Sequence, residues 1–140
     1  MKTVKSVFLI VTVLFITATT RAQDIFGAVK NNDLAKVKAL IEKDASLVGA
    51  KDNAGNTPLH HAAIGGSVEI AEYFISNGAE INGVNTMLDT PLHEAINNGH
   101  DEVAKLLIVG GADIQKQNTM GFSPLHVAAH KNRKAVAEML

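Results

Sequence analysis

The sequence predicts an all-α solenoid of about four repeats, each a pair of antiparallel helices linked to the next by a β-turn or hairpin loop. Three observations predict it. The only prolines in the 140 residues, Pro58, Pro91 and Pro124, stand 33 residues apart. Each lies in a matching block: Thr57-Pro58-Leu59-His60, Thr90-Pro91-Leu92-His93 and Ser123-Pro124-Leu125-His126. Each block leads into a small or apolar pair, Ala62-Ala63, Ala95-Ile96 or Ala128-Ala129. A fixed period of this length marks one supersecondary unit copied along the chain.

The block has a physical reading residue by residue. The Thr57 hydroxyl is placed to accept one of the free backbone N–H groups at a helix start. Pro58 then takes the first helical position, where its missing N–H costs nothing and its φ is already helical. Leu59 begins an apolar stripe, and His60 can hydrogen-bond through both ring nitrogens. Residue identity and spacing agree three times, and from about Asp24 to Leu140 the chain resembles the ankyrin-repeat family, with one β-turn and two helices per unit. The resemblance implies a structural role for His60, His93 and His126, since the matching His of that family ties neighbouring loops together.

The chain opens on a leader. Lys2 and Lys5 are followed by an apolar run from Val7 to Ala18 that only Thr12 and Thr17 interrupt, and Thr20-Arg21-Ala22 offers a cut before Gln23. This is the layout of a secretory signal peptide over residues 1–22, and the run is too short for a comfortable membrane span. An uncleaved anchor is the lesser reading, because no stop-transfer segment follows. The expected location is therefore secreted or periplasmic, with no membrane insertion after leader removal. The remainder has the size of one domain.

The whole chain holds 13 Lys and Arg against 14 Asp and Glu. The leader carries Lys2, Lys5 and Arg21 and no acid, so removing it leaves a net charge of −4. A mildly acidic module is a poor fit to nucleic acid or anionic lipid, whose binding rests on clustered cations. The one basic cluster, Lys131, Arg133 and Lys134, reads as a solvated helix connection. There is no Cys, and a domain of this size can build a core without disulfides.

The units follow in order. Residues 24–51 form a capping repeat: Asp24 caps a helix from Ile25 to Lys30, Asn31-Asn32-Asp33 breaks it, and Leu34 to Glu42 forms the second helix around Val37, Leu40 and Ile41. Lys36 stands where later units place Ile70, Val103 and Val136, as a polar end cap would. Asp44 to Ala50 reads as a loop with one extra residue. Residues 52–84 form the second repeat. Asp52-Asn53-Ala54-Gly55 turns, Thr57 to Ile64 is the inner helix, and Ser67 caps an outer helix from Val68 to Ser76. Residues 85–117 form the third, with helices from Pro91 to Asn97 and from Asp101 to Val109. Leu88 occupies the place where a turn wants Gly, so the turn changes type or holds strain. Residues 118–140 form an incomplete fourth unit, with helices from Ser123 to His130 and from Lys134 to Leu140. Val136, Met139 and Leu140 are expected on a face that another repeat would cover. The end either frays, or passes into further chain, or presents an edge that a partner covers.

No chemistry is marked out. His60, His93 and His126 recur once per unit, and stacked helices lie about 8–10 Å apart, so the three cannot share a metal ion. His126 and His130 have H-E-x-x-H spacing, but Val127 stands where that motif needs Glu. There is no Cys nucleophile, no G-x-S-x-G, and no phosphate loop around Gly65-Gly66 or Gly110-Gly111. The chain is read as non-enzymatic, with no cofactor and no metal.

The expected function is protein binding. Repeats that touch only their neighbours leave an extended concave face that varies without disturbing the core. By the resemblance, a partner lies against the turn tips and the exposed side of the inner helices. Those positions are Asn53, Ala54, Asn56, His61 and Ile64; Thr86, Met87, Asp89, Glu94 and Asn97; and Thr119, Met120, Phe122 and His130. Met87, Leu88, Met120 and Phe122 are apolar where solvent alone favours polar residues. They read either as contact residues or as side chains packed on one another across adjacent tips, with contact preferred. The alternatives are a non-catalytic module of a larger enzyme or multidomain protein continuing past Leu140, and a structural stabiliser of a periplasmic or extracellular enzyme.

Overall fold

The computed structural model describes residues 20–140, and those residues contain helices and turns but no strand. The leader expected over residues 1–22 lies outside the described residues except for 20–22. Helix α1 is already running at residue 20 and continues to 30. Asp24 is therefore inside a helix and does not cap one. Helix α2, Leu34–Lys43, is capped by Asp33, whose carboxylate accepts from the Lys36 amide at 3.0 Å. Its buried residues are Val37 and Ile41, while Leu40 is only partly covered and Lys36 is exposed. The stretch expected as a plain loop contains a 3-10 turn, Ala45–Gly49, because Asp44 accepts from the Ser46 amide and so starts a helical turn of its own.

The remaining helices come in pairs: α3, Pro58–Gly65, with α4, Val68–Ser76; α5, Pro91–Asn98, with α6, Asp101–Val109; and α7, Pro124–His130, with α8, Lys134–Ala137. The first helices of the pairs pack in a row, α3 on α5 on α7, and the second helices pack in another, α2 on α4 on α6 on α8. Between the rows runs one apolar core that includes Leu59, Ile70, Phe74, Leu92, Ile96 and Leu107, all fully buried. Such short helices are stable only through this lateral packing.

Two expectations about ends need correction. Ser67 sits at the N-cap of α4 but makes no side-chain capping bond there, and it is buried. Helix α8 stops at Ala137, short of Leu140, and Val136 does not await a further repeat: it is 1% exposed, in a helix that packs on α6. The side of the last unit that is open carries Leu125, 45% exposed, and Met139. Leu140 is partly buried against the core.

Each recurring block builds the same helix start. In the first, the Thr57 amide donates to His60 Nδ1 at 3.1 Å, and the His60 amide donates back to Thr57 Oγ1. This is a capping box with His in the place usually held by Glu or Gln. Thr90 and His93 repeat it, and the Ser123 amide donates to His126 Nδ1 at 3.2 Å.

Candidate functional site

The turns before α3, α5 and α7 share one design. Asp52, Asn85 and Asn118 head them, each side-chain oxygen accepting two backbone amides of its own turn. Each head's carbonyl also accepts from the residue three further on: Gly55, Leu88 or Gly121. All three of those residues have positive φ, 75°, 59° and 75°. Leu88 keeps the glycine geometry of its counterparts with a branched side chain, so the turn type is unchanged and the strain is real.

Neighbouring tips are bonded into a ladder. The Thr86 amide donates to Ala54 O and the Thr119 amide to Met87 O, both at 2.9 Å. Asn85 Nδ2 donates to Asn56 Oδ1 at 2.9 Å, and Asn118 Nδ2 to Asp89 Oδ1 at 2.8 Å. The three imidazoles expected to tie loops together have their Nδ1 atoms engaged within their own units. Because Nδ1 accepts, Nε2 carries the proton. His60 Nε2 then donates to Asp89 O and His93 Nε2 to Phe122 O, both at 3.0 Å. Burial holds the His60 imidazole below its ordinary range, although the Asp89 carbonyl works the other way.

Of the fourteen residues singled out as contacts, Asp89, Glu94, Asn97, Met120, Phe122 and His130 line one cavity of about 230 Å³ between the last two tips. Asn53, Ala54, Thr86, Met87 and Thr119 stand exposed along the tips, outside that cavity. Asn56 is partly covered and already bonded to Asn85. His61 and Ile64 lie farther back on α3. His61 Nε2 meets Asp52 Oδ2 at 2.7 Å, and its ring rests 5.1 Å from that of Phe26. Burial works against the Asp52 charge, but the bonds from His61, Asn56 and Ala54 hold its carboxyl below the usual range. The carbonyl of Ile64 accepts from His100 Nε2 at 2.9 Å.

The apolar tip residues divide. Met87, Leu88 and Met120 are 50%, 46% and 63% exposed. Phe122 is partly covered, its ring 6.1 Å from that of His126 and 6.4 Å from that of His130. Burial, and then the neighbouring Asp89 charge, push the Glu94 carboxyl above its usual range; amide bonds from Asn85 and Asn98 offset this only in part.

Sequence reasoning passed over four residues here. Asn118, Val127 and Lys131 also line the cavity. The recurrence of Asp52, Asn85 and Asn118 at the period of the prolines was a readable signal for Asn118; Lys131 had none beyond its charge. His100 was missed because its partner lies 36 residues back along the chain. Among the described residues, no group of three or more His, Asp or Glu is placed to hold a metal ion, and no helix is long and apolar enough to cross a membrane.

Comparison with known proteins agrees with this geometry. The family model described as ankyrin repeats (3 copies) matches residues 25–118 and 83–140. A segment of 51 residues, 36% of the chain, is 39% identical to 12% of a serine/threonine-protein kinase, VIK, of Arabidopsis thaliana. Another 51 residues are 41% identical to 24% of ankyrin repeat domain-containing protein 49 of Drosophila melanogaster. A stretch of 63 residues, 45% of the chain, is 38% identical to 27% of the 26S proteasome non-ATPase regulatory subunit 10 of Dictyostelium discoideum. The matches thus span about a quarter or less of these relatives' own lengths.

Proposed function

The chain belongs to the ankyrin-repeat family, and from that premise we propose that it is an exported module that binds a protein partner through its concave face and turn tips. Ankyrin repeats mark a protein–protein interaction module and are generally non-catalytic. The observation that carries the finer reading is the state of the tips. Met87, Leu88 and Met120 expose apolar side chains on two adjacent tips, and Met120 lines the cavity that Glu94 also lines. Leu88 does so at a backbone cost, where the equivalent turns use Gly. Strain retained at an exposed apolar position supports a contact role, since stability alone favours Gly or Asn there.

Export rests on the leader, with its positive start and apolar run cut before Gln23. Such a cut leaves Asp24 in the first turn of what remains of α1, where an acid favours the helix dipole. Cell fractionation with N-terminal sequencing of the mature chain tests it; a chain retained inside with Met1 or Lys2 at its start refutes it.

Replacing Met87, Met120 and Phe122 together by Ser tests the binding face. Helicity stays close to that of the parent, because Met87 and Met120 are exposed; melting falls only by what the single Phe122→Ser variant loses, since Phe122 packs against the edge of the core, while capture of the partner from the native compartment is lost. Unchanged capture overturns the reading. The similarity to a small part of a kinase favours one further reading, a binding module within a longer protein. Reading frame beyond the codon for Leu140 decides between the two.

A further inference from the structure

The cavity between the last two tips has a chemistry of its own. Two acids, Asp89 and Glu94, are among the residues that line it. Among the described residues, neither lies within ion-pair distance of a Lys or Arg. Glu94 is held only by long amide bonds, from Asn85 at 3.3 Å and Asn98 at 3.4 Å, and Asp89 by one from Asn118. Met120, Phe122 and Val127 give the same cavity an apolar lining, and the Phe122 ring, stacked on one side against His126, is only partly covered. Two half-covered negative charges beside an exposed thioether and an aromatic face form a place for a cation on an apolar stem. Burial already pushes the Glu94 carboxyl up, and an incoming cation offsets that cost.

We propose that this cavity is an arginine pocket, taking one Arg side chain from an extended segment of the protein partner. The guanidinium meets Glu94 and Asp89, and the stem lies along Met120 and Phe122. A planar fork suits two carboxylates and stacks on a ring, which the compact ammonium of Lys does less well. Lys131 and His130 also border the cavity. The Lys131 charge disfavours a run of basic residues and selects a single arginine beside neutral or acidic neighbours. This assignment rests on the binding face proposed above and gives that face a partner chemistry.

The test is titration of the isotopically labelled protein with N-acetyl-Ala-Arg-Ala-amide and with the same peptide carrying citrulline, the neutral isostere of Arg. The expected result is saturable shifts of the amides of residues 89, 94 and 122 with the Arg peptide. Binding is about tenfold weaker with citrulline or in Glu94→Gln, the scale of one charge-assisted hydrogen bond. The Lys analogue binds between the two. Equal binding of the Arg and citrulline peptides, shifts confined to other residues, or undiminished binding by Glu94→Gln overturns the pocket. Those results leave the Met87, Met120 and Phe122 capture experiment standing, so failure of the pocket and failure of the binding face are separable.

Discussion

His60 Nε2 donates to the backbone carbonyl of Asp89 at 3.0 Å, across 29 residues of chain. The same imidazole accepts the Thr57 amide on Nδ1. One fully buried ring therefore starts its own helix and fixes the next loop. Protonating Nδ1 breaks the first bond, and burial disfavours the charge. The folded state thus holds the imidazole below its ordinary 6.5, while the unfolded chain titrates near that value. Below it the unfolded state binds more protons, so stability falls as pH drops through 6.5 and keeps falling until the folded ring also protonates. Urea unfolding at pH 7.5, 6.5 and 5.5 should show declining midpoints. His60→Ala should cost about 2–4 kcal/mol at pH 7.5, from two lost hydrogen bonds and a cavity, and flatten the decline. A midpoint that rises on acidification refutes this account.

Leu92 and Leu125 occupy the same place in successive blocks, yet Leu92 is fully buried and Leu125 is 45% exposed. The difference is the neighbour: α5 is packed between α3 and α7, while α7 has a packing partner on one side only among the described residues. Leu92→Ala should cost about 2–5 kcal/mol, the range for emptying a core site. Leu125→Ala should cost under about 1 kcal/mol. Chemical denaturation of the two variants checks the ordering, and equal losses would mean that Leu125 is covered in solution.

The repeat, the paired helices and the strained turn at Leu88 were legible because each rests on local spacing or on a missing Gly. The wish of each block for a helix start was legible too, though not that His60 would serve as the reciprocal half of the cap. What could not be read were contacts set by packing at a distance. Val136 looked like an open stacking position because the stripe shows which residues are apolar but not which side of the array covers them. Helix α1 ran past its expected cap at Asp24, since residues 20–22 suit a helix as well as a cleavage site. At the candidate site, six residues could be named one by one, but their meeting in one cavity depends on how adjacent tips lie together.

Gly66 ends α3 with φ 70°, and a Cβ at that position would run into the His100 ring. That ring cannot yield freely, because its Nε2 is bonded to Ile64 O. Gly78 has φ 82° and nothing within 4 Å. Both Gly66→Ala and Gly78→Ala bear the left-handed penalty of about 1–2 kcal/mol, but only the first must also displace His100 and give up a hydrogen bond. Gly66→Ala should therefore be the more damaging by about 1 kcal/mol or more. Differential scanning calorimetry of the two variants reads the difference, and a smaller effect at Gly66 contradicts the close packing of His100.

Glu94 costs the fold something at neutral pH. Burial and the Asp89 charge hold its carboxyl above the ordinary 4.5, so the native state binds protons more readily than the unfolded chain. Stability contributed by this group is present below that ordinary value and lost as pH rises through the raised one. Glu94→Gln keeps the shape, removes the charge and retains an amide for the neighbouring Asn side chains. It should raise stability at pH 7 by roughly 0.5 kcal/mol, the scale that solvent screening leaves to a half-covered charge. The gain should vanish at pH 4, where the parent side chain is itself neutral in the fold. Paired denaturation curves at the two pH values check this. A loss of stability at pH 7 would show that the carboxylate serves the fold, and would remove the ground for assigning it to a ligand.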